Sequence, residues 1–475
     1  MTDSNSIYSD LPQGWKFQKL GDFAQYKKGK KPNNLQNNCS REFVYPYVDI
    51  QAFEEGVINN YTDGIKCVFC DVDDLLMVWD GSRSGYVGKS IKGVLGSTLM
   101  KINFPTLNNN FAFYFLKSKY LEINSRAKGT GTPHVDPNLL WNYILPLPPL
   151  PEQHRIVEKI EELFSELDSG VASLKKALEQ LKTYRQAVLK WAFEGKLTEK
   201  WRNAHQDTLE DADTLLQQIK AERKRHYQQQ LEDWKQALKD WETNGKETKK
   251  PTKPQQPKDL PPLTKEELST LPSLPNGWMW DKLGYMTIGT EYGTSSKSQK
   301  EGKIPVLRMG NIQHGILDWS DLVFTNDEDE IRQYFLHKND VLFNRTNSPE
   351  WVGKTAIYLG QRPAIFAGYL IRINQINSIV DAKYLTHFLN SIVAKNHGNK
   401  VKTDGVNQSN INGEKLCNYP FPYVSLQEQT QIVQEIESRL SVCDQLEATL
   451  TENLEKAEAL RQSILKRAFE GKLVL

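Results

Sequence analysis

Residues 142–197 read NYILPLPPLPEQHRIVEKIEELFSELDSGVASLKKALEQLKTYRQAVLKWAFEGKL, and residues 418–473 read NYPFPYVSLQEQTQIVQEIESRLSVCDQLEATLTENLEKAEALRQSILKRAFEGKL. The two segments align without a gap at a constant offset of 276, with 26 of 56 positions identical. Identities include Glu152-Gln153 with Glu428-Gln429, Ile156-Val157 with Ile432-Val433, Asp168 with Asp444, and the closing Ala192–Leu197 with Ala468–Leu473. An internal repeat of this length decides the architecture before any single element is considered.

Away from the repeat the correspondence loosens. Leu11-Pro12-Gln13-Gly14-Trp15 matches Leu274-Pro275-Asn276-Gly277-Trp278 at offset 263, Tyr86-Val87-Gly88-Lys89 matches Trp351-Val352-Gly353-Lys354 at 265, and Phe115-Leu116 matches Phe388-Leu389 at 273. The chain reads A–B–A′–B′, with divergent A units and nearly constant B units.

In the first B unit, Val157, Ile160, Phe164, Leu167, Val171, Leu174, Leu178, Leu181, Arg185 and Val188 recur at alternating spacings of three and four. That is a heptad stripe, and it predicts a coiled-coil helix over 152–194. The second copy carries Val433, Ile436, Leu440, Cys443, Glu447, Leu450, Leu454, Ala457, Arg461 and Ile464 on the same frame. Pro146, Pro148, Pro149 and Pro151 are expected to precede the first helix and not to lie within it. Gly195 and Gly471 stand where a left-handed cap would close each helix. Mutual pairing of the two helices is expected, against the alternative that each packs only on its neighbouring domain.

The A units carry short β-branched and aromatic runs, such as 43–48, 74–79 and 340–343, separated by Gly, Asn and Asp clusters. They read as mixed domains dominated by strands, with helices near 111–119 and 382–393. Residues 198–270 hold 28 charged side chains in 73, evenly split. A helix is predicted over 214–241, followed by a Pro-rich spacer at 249–262. The domains expected are therefore 1–143, 144–197, 198–270, 271–417 and 418–475.

A chain of 475 residues with 39% apolar and 25% charged side chains is a globular protein of several domains. No uninterrupted apolar run reaches membrane-helix length, and Met1–Asn5 does not start a signal peptide. Five cysteines offer no disulfide framework, so the expected compartment is the cytoplasm. Net charge is only +1, yet 1–141 and 271–417 each carry 16 basic and 14 acidic side chains, so the A units are +2 apiece.

No catalytic or metal site is assigned. Gly88-Lys89-Ser90 and Gly353-Lys354-Thr355 resemble the ends of phosphate loops, but Arg83 and Ser348 stand where the first glycine is required. Cys67 and Cys70 lack a second ligand pair and are expected to be two buried strand cysteines. Glu194-x-Lys196 and Glu470-x-Lys472 lack the Pro-Asp of a metal-nuclease motif, and no amino-methyltransferase motif occurs.

What remains is loop chemistry at matching places. The first A unit offers Lys30 and Lys31, then Ser82, Arg83 and Lys89, then Arg126, Lys128, Thr130, Thr132 and His134. The second offers Ser295, Ser296 and Lys297, then Arg308, then Arg345, Thr346, Asn347 and Lys354, then Lys400, Lys402, Asn407 and Gln408. Arg and Lys suit guanine edges, Asn and Gln adenine edges, and hydroxyls phosphates. As matched sets, these residues are the candidate DNA contacts.

At Pro148-Pro149-Leu150-Pro151-Glu152-Gln153, Phe193–Leu197, and their copies from Leu426 to Leu473, the chain resembles the specificity subunits of type I restriction–modification enzymes. Arg308–Ile312 and Val48-Asp49-Ile50 also look like the early strand of that family's target-recognition domains. Ser425-Leu426-Gln427 departs from the Pro149-Leu150-Pro151 of the first copy, and the family pattern does not explain 198–270. The resemblance implies an α+β chain in which two target-recognition domains alternate with two long helices paired as an antiparallel coiled coil with a pseudo-two-fold axis. It implies a non-catalytic subunit that reads a bipartite, asymmetric site in double-stranded DNA. It also implies two modification subunits and further restriction subunits as partners, with S-adenosylmethionine, ATP and Mg in those partners and no cofactor here. A structural coiled-coil adaptor, a fused methyltransferase–nuclease and an acidic anti-restriction mimic are the competing readings. Divergent A units on constant B units, the missing methyltransferase motif and the +2 domains weigh against them in turn.

Overall fold

The computed structural model describes residues 12–129, 131–245, 250–254, 256, 259–313 and 315–474. Its elements fall into two units, Met1–Ala177 with Thr449–Leu475, and Leu178–Ala448. The first unit has strands β1 (Lys16–Lys19), β2 (Gln25–Lys28), β3 (Tyr45–Val48), β4 (Tyr61–Thr62), β5 (Phe69–Cys70), β6 (Leu75–Val78), β7 (Val87–Lys89), β8 (Gly93–Leu95), β9 (Leu99–Asn103) and β10 (Ile144–Leu147). Its helices are α1 (Ile50–Glu55), α2 (Asn109–Ser118), α3 (Tyr120–Ser125), α4 (Pro137–Trp141) and the first part of α5 (Leu150–Phe193). One antiparallel sheet runs β2-β9-β6-β7, and a second runs β4-β3-β8-β5 with β3 and β8 parallel. Strand β6 explains the layering. Leu75 and Met77 point into one core and Leu76 and Val78 into another, so both faces of the first sheet are buried.

The second unit has helices α6 (Glu199–Ala204), α7 (Ala212–Thr243), α8 (Lys265–Ser269), α9 (Glu328–Tyr334), α10 (Ala382–Leu389), α11 (Ile392–Val401), α12 (Gly413–Cys417) and the first half of α13 (Leu426–Phe469). Its strands are β11 (Met279–Lys282), β12 (Thr287–Tyr292), β13 (Ile304–Leu307), β14 (Ile312–Gln313), β15 (Ile316–Leu317), β16 (Val323–Thr325), β17 (Val341–Asn344), β18 (Thr346–Asn347), β19 (Thr355–Ile357), β20 (Ile365–Phe366), β21 (Leu370–Gln375), β22 (Thr403–Asp404), β23 (Ser409–Asn410) and β24 (Pro420–Tyr423). The sheet β12-β21-β17-β19 repeats the order and antiparallel sense of β2-β9-β6-β7. Likewise β16-β13-β20 repeats β4-β3-β8, parallel pair included. The A units thus share one topology although their sequences barely align.

The shared Glu-Gln has a physical reason. Trp15 Nε1 donates to Glu152 Oε1 at 3.1 Å, and Trp278 Nε1 donates to Glu428 Oε2 at 2.9 Å. Gln153 Oε1 accepts the Asn108 backbone N–H at 2.9 Å, and Gln429 Oε1 accepts that of Asp381 at 2.9 Å. Asn108 and Asp381 are the N-caps of α2 and α10. The glutamate therefore fastens the entry tryptophan of each domain, and the glutamine ties the long helix to the domain's packing helix.

Helices α5 and α13 each run 44 residues, about 66 Å at 1.5 Å per residue. Arg461 meets Asp168 in the first unit, and Arg185 meets Asp444 at 2.7 Å in the second. As the position on α5 rises from 168 to 185, the partner falls from 461 to 444, so the helices run antiparallel. Arg185 and Arg461 are equivalent in the repeat, as are Asp168 and Asp444: one ion pair is made twice. The stripe positions Val157, Ile160, Phe164, Leu181, Val188, Val433, Ile436, Cys443, Ala457 and Ile464 are buried. Glu447 departs from the stripe and reaches Arg185 at 2.8 Å from an exposed position. Each helix ends in the domain of the other copy. Phe469 packs edge-on against Phe111 and Phe115, both at 5.2 Å, and Phe193 against Tyr384 at 5.3 Å and Phe388 at 5.2 Å. Gly195 and Gly471 adopt φ of 71° and 69°, and Lys196 and Lys472 return N–H bonds of 2.9 Å to Trp191 O and Arg467 O, closing both helices as left-handed caps do.

Several expectations are corrected. Pro151 lies inside α5, in the first turn, where its missing N–H has no helical partner to lose. Residues 144–147 and 420–423, ahead of the long helices, are strands paired with β1 and β11. Helix 382–393 is broken at Ser391, whose side chain caps α11. Cys70 is a buried strand residue, but Cys67 is half-buried and precedes β5. The segment 198–270 is more than a spacer. Leu215 and Ile219 of α7 are buried in the second unit's core, the Tyr285 hydroxyl donates to Leu260 O, and Trp234 Nε1 donates to Pro251 O at 3.0 Å. Arg202 of α6 holds buried Glu428 at 2.9 Å.

Candidate nucleic-acid interface

In the first unit, backbone pairing draws three loops to one edge. Lys28, ending β2, reaches Asp80 at 2.7 Å, and Asp80 forms a β-bridge with His134. His134 and Lys128 exchange backbone bonds of 2.7 and 2.9 Å, and Gly81 N–H donates to Pro133 O at 2.7 Å. The Asn124 amide donates to Ser82 O at 3.0 Å and Ser84 O at 2.9 Å. Lys30, Lys31, Ser82, Lys89 and Thr132 are exposed, and His134 is half-buried. Thr130 lies outside the described residues. Arg83 stacks 4.3 Å over the Tyr86 ring and is paired with Glu54. Arg126 lies 3.6 Å from Glu122, and Lys128 lies 2.7 Å from Asp136, whose carboxyl it holds below the usual range.

The second unit assembles the same way. Thr294 N–H donates to Phe366 O at 2.9 Å, Gly368 N–H to Thr294 O at 2.7 Å, and Arg345 N–H to Tyr369 O at 3.0 Å. Strand β18 pairs with β23, which forms a hairpin with β22. This brings Ser295, Ser296, Lys297, Arg345, Thr346, Asn347, Asn407 and Gln408 onto neighbouring strand ends. Thr346 and Asn347 are half-buried; the Thr346 hydroxyl oxygen accepts from Asn410 Nδ2 at 2.7 Å. Arg345 stacks 4.7 Å over Tyr292 and donates through Nη1 to Gly368 O at 3.3 Å, while its buried Nε has no partner. Lys354 lies 4.0 Å over Trp351 and donates to Gln313 Oε1 at 3.1 Å; burial, with Lys395 nearby, holds its ammonium below the ordinary lysine range. Arg308 pairs with Asp321 at 3.0 Å, and Lys402 lies 3.6 Å from Asp404. Lys400 faces elsewhere, lining a cleft of about 580 Å³ with Lys190, Glu194 and His397.

Both units carry cations paired with carboxylates, Arg308 and Lys402 included, and Arg345 stands apart from them. Lys28, Arg83, Arg126 and Lys128 each have a carboxylate, whereas among the described residues Arg345 has none. A stacked guanidinium with outward donors, amide side chains and hydroxyls beside it can read base edges and hold phosphates. Sequence reasoning missed the tyrosine platforms and the acidic partners. Tyr86 gave a local signal, three residues after Arg83; Tyr292, at the end of β12, and Glu54, on α1, gave none, because only the tertiary fold brings them to their arginines.

A family model described as the type I restriction modification DNA specificity domain matches residues 12–180 and again 286–456. The chain belongs to this family. Among curated proteins, it is 32% identical over 186 residues to the specificity subunit of the type I restriction enzyme MjaVIII of Methanocaldococcus jannaschii, covering 38% of this chain and 43% of that one. It is 27% identical over 375 residues to the EcoKI specificity subunit of Escherichia coli K12, covering 77% and 66%, and 23% identical over 465 residues to the EcoDI specificity subunit of Escherichia coli, covering 98% and 89%. The chain therefore spans less than half of the MjaVIII subunit and about two thirds of the EcoKI subunit. A structure solved in work on complex assembly and conformational transition of the type I R-M system shares the fold, with a TM-score of 0.63 at 18% identity over 98% of this chain and 99% of that one. The specificity-domain matches leave out 181–285, which includes α6, α7 and α8. No helix among the described residues is long and apolar enough to cross a membrane.

Proposed function

We propose that this chain is the DNA sequence-specificity subunit of a type I restriction–modification complex, itself without catalytic activity. The observation that carries the reading is duplication with divergence. Two domains of one topology present equivalent loop clusters with different side chains, while the helices that anchor them keep the same contacts. Each domain reads one half of a bipartite, asymmetric site in double-stranded DNA. The shared helices scaffold two modification subunits, and restriction subunits join that assembly. S-adenosylmethionine, ATP and Mg belong to those partners, and the location is cytoplasmic. Lys30, Lys31, Ser82, Arg83, Lys89, Arg126, Lys128, Thr130, Thr132 and His134 serve one half-site. Ser295, Ser296, Lys297, Arg308, Arg345, Thr346, Asn347, Lys354, Lys402, Asn407 and Gln408 serve the other, and Lys400 is set aside because it lines the cleft.

The test is a domain exchange. Replacing residues 11–141 with the corresponding domain of a relative is expected to change one half of the sequence methylated by the assembled complex and leave the other half intact. Methylation mapping reads the result directly. A change in both halves, or in neither, would remove the reading.

A further inference from the structure

The hairpin β22–β23 ends in Gly405-Val406-Asn407-Gln408, a turn closed by Gly405 N–H donating to Gln408 O at 2.7 Å. Val406 at its tip is 100% exposed, and no other large apolar side chain among the described residues exceeds 68%. The hairpin below it is held from several sides. Ser409 is fully buried and its hydroxyl donates to Asp404, Lys415 Nζ donates to Thr403 Oγ1 at 2.6 Å, and β23 pairs with β18 directly after Arg345. A braced turn that presents one branched apolar group entirely to water has given up the burial that normally drives such a side chain inward. Its neighbours limit what would cover it. Asn407 and Gln408 are exposed amides, and the adjoining strand presents a guanidinium, so the surroundings match a nucleic-acid surface and not an apolar protein socket.

We propose that this tip enters the major groove of the half-site read by the second unit and that Val406 packs on the 5-methyl group of a thymine. Asn407 and Gln408 stand beside it to meet adenine edges, so this part of the half-site contains A·T pairs. The proposal rests on the reading of the chain as a DNA specificity subunit and deepens it. A two-stranded ribbon fits the major groove, and the thymine methyl is the apolar feature displayed there.

The test uses the full chain assembled with its modification subunits, once its own site has been mapped, and duplexes in which each thymine is replaced singly by uracil. One replacement, in one half-site only, is expected to weaken binding about fourfold, equivalent to ~0.8 kcal/mol for one buried methyl-sized group. The Val406→Ser complex should bind thymine and uracil duplexes alike at that position, with an unchanged melting temperature because the side chain is outside the core. Indifference of the parent complex to uracil at every position, or undiminished discrimination by Val406→Ser, would overturn this inference and leave the specificity reading standing. A complex that recognised no sequence at all would overturn both.

Discussion

A guanidinium that reads a base must be fixed in orientation while some of its donors still face outward. Arg345 meets both conditions: Tyr292 supports its face, Gly368 O takes one donor, and no carboxylate neutralises it among the described residues. Arg345→Ala is therefore expected to cost about 1–3 kcal/mol of binding and to relax one base position, as binding to a panel of singly substituted duplexes would show. A uniform loss across all sequences, with a shallower salt dependence, would instead make Arg345 a phosphate contact. Arg83 occupies the matching loop, between β6 and β7, but Glu54 holds it there. At this scale the sequence was half legible. Arg, Asn and Gln in turn-rich loops announce base-reading chemistry by type alone. Whether each is available depends on partners such as Glu54, 29 residues from Arg83 along the chain, and only the folded domain brings those together.

The long helices were legible because their signals are local: a heptad stripe, a proline-rich entry and a capping glycine all lie within the element they define. Their partnership is also written in the repeat, where Asp168 and Arg185 recur as Asp444 and Arg461. The segment after α5 was legible as a helix over 214–241 but not as part of a core. Its charge balance hides Leu215 and Ile219, one helical turn apart, and nothing in the composition marks Arg202 as buried. Yet Arg202 faces Glu428, which also accepts from Thr198 Oγ1 at 2.7 Å and from Trp278. Removing the cation alone leaves a buried carboxylate, a change that typically costs about 3–5 kcal/mol. Arg202→Met is expected to lower the unfolding free energy of the second unit by an amount in that range, read as a fall in its denaturant midpoint. Adding Glu428→Gln should recover much of the loss, since an amide keeps the hydrogen-bond acceptor without the buried charge. A midpoint unmoved by Arg202→Met would show that α6 does not anchor the start of α13.

The first unit is discontinuous along the chain, and the second, though continuous, coincides with neither half of the sequence. The first takes its last 27 residues, Thr449–Leu475, from the far end, and the second begins inside α5 at Leu178. A break between 245 and 246 would therefore give two fragments that both contribute to both units. Ile464, Leu465 and Phe469 of the second fragment are buried in a core with Phe111 and Phe115 of the first. Conversely Val188, Leu189, Phe193, Leu215 and Ile219 of the first fragment are buried with Tyr384, Phe388 and Phe421 of the second. Each of these eight side chains contributes about 1.5–3 kcal/mol on full burial, and the break falls beyond the end of α7 and interrupts no helix or strand among the described residues. Fragments 1–245 and 246–475, expressed together, are expected to co-elute as a one-to-one complex and, with the modification subunits, to methylate the same sequence as the intact chain. Expressed singly, each should be insoluble, because it leaves two half-cores open. Fragments that folded and eluted separately would mean that the reciprocal docking of Phe193 and Phe469 is dispensable, and that continuity of the chain, not the exchange of helix ends, holds each unit together.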